Sequence, residues 1–78
     1  MGTPHNASAK TISTPADLGA MVRSLRKDQR ITQRDLAAFA QTGERFIVDL
    51  EAGKPTVQLS KVLQALDQLG MRLAVVPR

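Results

Sequence analysis

The tightest constraint on this chain is the run Thr32 to Gly53, TQRDLAAFAQTGERFIVDLEAG, which holds two complete helix signals in one short stretch. Thr32 is a strong N-cap type, and Asp35, three positions on, answers it as the acidic partner of a capping box. Leu36, Ala37 and Ala40 then make a stripe of small apolar residues, which lets a second helix approach closely. Gln41-Thr42-Gly43 interrupts the pattern, with Gly43 as the residue free to take up a turn conformation. A second stripe follows at Phe46, Ile47 and Leu50, and Gly53 with Pro55 closes it. Helices of about eight residues are too short to stand alone in water. They must pack crosswise, as a helix-turn-helix whose second helix turns its polar face outward.

The flanking sequence supplies the rest of a small fold. Thr14-Pro15-Ala16-Asp17 opens a first helix, with Thr14 as cap, Pro15 at the first helical position and Asp17 completing the box. Leu18, Met21, Val22 and Leu25 give it an apolar face, and Arg23, Lys27 and Arg30 lie outside. Those cations read equally well as a solvated face and as phosphate contacts. Beyond the central pair, Thr56 is expected to cap a fourth helix of about thirteen residues. It carries Val57, Leu59, Val62, Leu63, Leu66 and Leu69, and Gly70 ends it. The period then changes to two: Met71, Leu73 and Val75 alternate with Arg72, Ala74 and Val76 before Pro77, which predicts a strand. No other stretch reads as a strand, and a lone strand leaves its backbone groups unpaired. Its natural mate is the same strand of a second copy.

Composition points the same way. Once residues 1–13 are set aside as a flexible tail, roughly 65 of the 78 residues remain for a core, which is marginal for a monomer. With no cysteine, neither disulfides nor a thiolate metal site can add stability, so oligomerisation is the remedy. The expected fold is mainly α: four helices and one C-terminal strand, about 71–76, that pairs across a homodimer, all within a domain spanning 14–78. The net charge of +4 and pI near 10.4 favour a polyanionic partner. The charge is uneven, with five Lys or Arg against two Asp in residues 1–30 but three against four acids in residues 31–56. The positive field therefore comes from the first helix and the chain ends.

Catalysis is excluded on inventory: one histidine (His5), no cysteine and no tyrosine leave no nucleophile–base pair, and no metal or cofactor is expected. Gly53-Lys54 is not a phosphate-binding loop, because Val48 stands five before the glycine and Pro55 follows the lysine. Phe39 and Phe46, the only aromatics, occupy core-type positions, which disfavours single-strand or RNA stacking. No apolar run is long enough for a membrane span and no signal-peptide core is present, so a cytoplasmic location is expected.

A recognition helix enters the major groove by its N-terminal end. Here that end presents Gly43, Glu44 and Arg45, with Asp49 one turn further along the same face. Arg45 can contact guanine bidentately, worth about 1–3 kcal/mol of discrimination. Glu44 could accept from a cytosine amino group or simply complement the helix dipole. Gln33 is placed for a phosphate, and Arg23, Lys27, Arg30, Arg34 and Lys54 complete the candidate phosphate set. Glu51 near the helix end opposes the dipole and needs a basic partner, for which Arg26 is the candidate.

The run Thr32-Gln33, Leu36-Ala37, Ile47 and Glu51-Ala52-Gly53 resembles the Xre/Cro-like helix-turn-helix family, over residues 14 to about 66. The passage LGMRLAVV, helix directly into strand, together with RFIVDLEAGKPT, is similar to the HipB-type antitoxin subgroup. That resemblance implies a homodimer joined through its C-terminal strands, binding palindromic operators in double-stranded DNA before its own operon. It also implies a partner, a HipA-type kinase toxin. The family's turn glycine is replaced by Gln41, and its usual Ser or Thr opening the second helix by Gly43. A turn displaced by two residues would move Glu44 and Arg45 by about one helix position. Two alternatives stay open: a stand-alone phage- or plasmid-type repressor, and a protein-interaction module that clamps a partner without specific DNA binding.

Overall fold

The computed structural model describes residues 11–78. Most of the expected tail, His5 included, lies outside the described residues. Among those described, four helices follow in order: α1 (Pro15–Asp28), α2 (Gln33–Ala40), α3 (Glu44–Glu51) and α4 (Leu59–Gln68). The first two start on reciprocal capping boxes. Asp17 N–H donates to Thr14 Oγ1 at 3.0 Å while Thr14 N–H donates to Asp17 Oδ2 at 3.2 Å. Asp35 and Thr32 repeat the arrangement at 3.0 and 3.3 Å. Ser13 N–H also reaches Asp17 Oδ2 and Ile12 is half-buried, so packing begins just before the expected domain start at Thr14.

All four helices end alike, in a Schellman turn whose two backbone bonds require one residue in the left-handed region. The bonds are Arg30 N to Lys27 O with Ile31 N to Arg26 O, and Gln41 N to Ala38 O with Thr42 N to Ala37 O. They recur as Gly53 N to Leu50 O with Lys54 N to Asp49 O, and Gly70 N to Asp67 O with Met71 N to Leu66 O. The left-handed residues are Arg30 (φ 60), Gln41 (φ 58), Gly53 (φ 83) and Gly70 (φ 78). This corrects the reading of the central turn. Gly43 is extended (φ −79, ψ 153) and serves as the N-cap of α3, whereas Gln41 turns the chain. The turn is not displaced, and the register of α3 follows from Gln41.

The start of α4 is also corrected. The helix begins at Leu59 with Gln58 as N-cap and no side-chain cap, and Thr56 stays in the preceding turn. Val57, half-buried, packs against the core as the residue before the cap and lines one groove with Val62 at the fourth helical position. Val57 and Val62 thus occupy the two positions of a hydrophobic staple at a helix start where a threonine hydroxyl cap was expected.

The core gathers Val22 from α1, Leu36, Ala37 and Ala40 from α2, Ile47 and Leu50 from α3, and Val62, Ala65, Leu66 and Leu69 from α4 or its end. α3 packs on both α1 and α2, and α2 packs on α4. The approach of α1 to α3 depends on Gly19. A Cβ there would collide with Leu50 O and lie 2.7 Å from Glu51 O. Two remote glutamines finish the helix ends: Gln29 Nε2 donates to Leu69 O at 2.9 Å, and Gln64 Nε2 to Ala40 O at 3.2 Å. Phe39, expected in the core, is 55% exposed because α2 spends its inward stripe on Leu36, Ala37 and Ala40. Leu59 and Leu63 stand exposed on the flank of α4.

The C-terminal segment differs from expectation. Among the described residues no strand forms, and Met71, Arg72, Leu73, Ala74, Val75 and Val76 are all exposed. A strand exists only by backbone pairing, and the described residues offer this segment no mate.

Candidate nucleic-acid interface

Three elements meet at one buried polar cluster. Arg26 Nε, from the last turns of α1, donates to Glu51 Oε2 at 2.6 Å, and Nη2 donates to Glu51 Oε1 at 2.9 Å. The remaining nitrogen, Nη1, donates to Ile31 O at 2.9 Å in the turn between α1 and α2. Glu51 Oε1 also accepts from Gln33 Nε2 at 3.1 Å. Both charged side chains are nearly removed from water, at 9% and 3% exposure, and no described buried side-chain polar atom lacks a partner. This bidentate geometry is the strong form of an arginine–carboxylate pair. The hydrogen bonds that Arg26 donates to Glu51 hold its guanidinium above its ordinary pKa, against the opposing effect of burial. The carboxylate that would oppose the α3 dipole is thereby neutralised, and the C-terminal end of α3 is bolted to α1 and to the start of α2.

The pairing fixes what α3 presents outward. Gly43, Glu44 and Arg45 are exposed at its first turn, with Arg45 82% exposed. Asp49 is different. Its side chain is only 19% exposed and lies between two cations, with Arg45 Nη2 at 3.2 Å from Oδ1 and Lys54 Nζ at 3.6 Å from Oδ2. Arg23, Lys27 and Arg30 are exposed on α1 and its end, Arg34 on α2 and Lys54 after α3. Gln33 is half-buried with one amide N–H given to Glu51, which leaves its other N–H for any outside acceptor.

Sequence reasoning passed over Lys61. From the first turn of α4 its ammonium sits 5.9 Å from the ring centroid of Phe46 on α3, a cation–π contact. Only the fold brings the two together. It also passed over Arg30 as a left-handed residue, since it is neither a glycine nor an asparagine, whereas Gln41 stands where the family's turn glycine was read. Among the described residues no group of three His, Cys, Asp or Glu side chains could hold a metal ion, and no helix is long and apolar enough to cross a membrane.

A short helix carried across two others, its polar face free and its far end pinned by a buried ion pair, defines a helix-turn-helix regulator as a class. No family model matches the chain. It is 57% identical over 68 residues to the uncharacterized HTH-type transcriptional regulator y4mF of Sinorhizobium fredii, covering 87% of this chain and 90% of that protein. The chain belongs to the helix-turn-helix transcriptional regulators. Its fold is that of the HipB structures: it superposes on HipB in a complex with an O4 20-mer at a TM-score of 0.81, with 19% identity and 88% and 97% of the two chains covered. HipB in a HipA–HipB–O2–O3 complex matches equally, at 0.81 and 19% identity over 88% and 97%. A toxin–antitoxin module from Streptococcus pneumoniae matches at 0.67 with 28% identity, over 100% and 96% of the chains. The Xre/Cro-like, HipB-type resemblance read from the sequence is met in family by the first of these and in fold by the others.

Proposed function

We propose that the protein is a sequence-specific repressor that binds double-stranded DNA as a homodimer and acts as the antitoxin of a HipA-type kinase toxin. The observation that carries the reading is α3 itself: an outward polar face led by Arg45, locked to α1 and α2 through Arg26, Glu51 and Gln33. A rigidly held helix loses little freedom on docking in the major groove. Arg45 contacts guanine, and Gly43 and Glu44 lie against the neighbouring base edges with Asp49 on the same face. Arg23, Lys27, Arg30, Arg34, Lys54 and Gln33 engage phosphates. The net charge of +4 supports a polyanionic partner. The toxin partner is supported by likeness to a HipA–HipB–O2–O3 complex.

A second reading, a module that clamps a protein partner without specific DNA binding, is favoured by the exposed Phe39, Leu59 and Leu63. Two variants separate the readings. Arg45→Ala should relax specificity at one base-pair position per half-site, by about 1–3 kcal/mol. Lys27→Ala should weaken binding evenly across sequences and lower the salt slope by about one. Titration of both against an enriched and a scrambled duplex, over a range of salt, reads the difference. Equal loss on both duplexes for Arg45→Ala would make it a phosphate contact, and no enriched duplex at all would favour the clamp.

A further inference from the structure

The carboxylate of Asp49 is already engaged. Oδ1 faces Arg45 Nη2 at 3.2 Å and Oδ2 faces Lys54 Nζ at 3.6 Å, so each oxygen holds a different cation. The group is recessed, at 19% exposure, beneath an arginine that is 82% exposed. The Schellman turn that ends α3 places Lys54 N–H on Asp49 O at 3.0 Å, which sets the lysine backbone directly beside the aspartate. An exposed ion pair at i, i+4 contributes little to stability, so stability is a poor account of this arrangement.

We propose that Asp49 is a positioning residue for base recognition: it aims the Arg45 guanidinium and restrains Lys54, and it does not itself read a base. The proposal deepens the DNA-binding reading and rests on it. With the Nη2 side of the fork turned to Asp49, the rest of the guanidinium stays free to meet guanine N7 and O6 in one preset orientation. A preset arginine gives up less side-chain freedom on the correct base, and gains nothing on a wrong one. The negative charge has a second effect. Set between two cations close to the phosphates, it weakens sequence-independent attraction. Asp49 therefore lowers affinity for duplexes that lack the matching base and raises the contrast between duplexes.

These two effects have opposite signs, which makes the proposal testable. The probes are a duplex enriched from a randomised pool by the unmodified protein, the same duplex with each guanine replaced in turn, and a scrambled duplex. Asp49→Ala should cut discrimination about ten-fold at the base-pair position that Arg45→Ala affects, while binding to the scrambled duplex becomes about two- to five-fold tighter. Asp49→Asn, which keeps the shape and removes the charge, should move both quantities in the same directions. In the Arg45→Ala background, Asp49→Ala should cause no further loss of discrimination, since both act through one contact. A purely structural role would lower affinity for both duplexes together. The proposal is overturned if discrimination is unchanged, if the loss falls at a different base pair from that of Arg45, or if the two losses add. If the unmodified protein enriches no sequence, the DNA-binding reading fails first, on a measurement that involves no Asp49 variant.

Discussion

Arg26 and Glu51 show how a single residue pair sets the geometry of a whole surface. Both charges are withdrawn from water, and each is held by more than its partner: Arg26 also by Ile31 O, Glu51 also by Gln33. Glu51→Ala would leave a guanidinium with one of its three anchors, at a cost of about 3–5 kcal/mol for an unpaired buried charge. The denaturant midpoint reads this, and a loss below about 1 kcal/mol would mean that solvent reaches the pair. The sign of the pH dependence follows from the raised pKa of Arg26. A cation whose pKa is higher in the folded state contributes in full below its unfolded value and loses that contribution as pH climbs through the folded one. Both lie far into the alkaline range, so Arg26 adds no slope to stability between about pH 6 and 9.

At the scale of elements, two substitutions exchanging glycine and a larger residue should act in opposite senses. Gln41 holds the left-handed position in the turn between α2 and α3, where a side chain is strained and glycine is not. Gln41→Gly should stabilise by about 0.5–1 kcal/mol once the greater freedom of glycine in the unfolded chain is allowed for. The melting temperature should rise by about 4–8 °C for each kcal/mol. Gly19 lies in mid-helix, where alanine is the better helix former by about 1 kcal/mol. Yet an added methyl collides with the carbonyls that end α3, so Gly19→Ala should destabilise by about 1–3 kcal/mol. Equal melting temperatures for Gly19→Ala and the unmodified protein would mean that α1 and α3 can separate freely. Because that contact seats α3, the helix proposed to read DNA, the variant should also bind DNA less well at temperatures where it remains folded.

For the whole molecule, the unfinished part is the C-terminal segment. Val75 is 97% exposed and Val76 72%, with Met71 and Leu73 also open to solvent. The expected strand would present Met71, Leu73 and Val75 along an edge open to pairing with another edge. Pairing with the same segment of a second copy would cover them and set two recognition helices about 34 Å apart, on successive major grooves, which calls for an inverted-repeat operator. Ala74→Pro removes a backbone donor in mid-segment and should break that pairing. The variant should sediment as a monomer at micromolar concentration, melt lower and lose most operator affinity while half-sites are still weakly held. A variant that stays dimeric with unchanged affinity would transfer the interface elsewhere, with the exposed Leu59 and Leu63 on α4 the next surface to consider.

What the sequence determined by itself is whatever nearest neighbours along the chain decide. Thr14 with Asp17 and Thr32 with Asp35 name two helix starts, because a capping box closes within four residues. The stripes Leu36-Ala37-Ala40 and Ile47-Leu50 name the buried faces, because helical periodicity is local. Arg26 could be named as the partner of Glu51 because an acid at the negative end of a helix requires a cation, although its distance and burial could not be read. The tertiary structure decided everything that depends on what lies across a gap. It put Phe39 into solvent, began α4 at Leu59 without the Thr56 cap, and set Lys61 over Phe46. It also assigned the left-handed turns to Arg30 and Gln41, against their intrinsic preference, because the flanking helices leave the chain no other path. Asp49 belongs with these: its spacing places it on the same face of α3 as Arg45, but only the fold brings Lys54 back to share its carboxylate with Arg45.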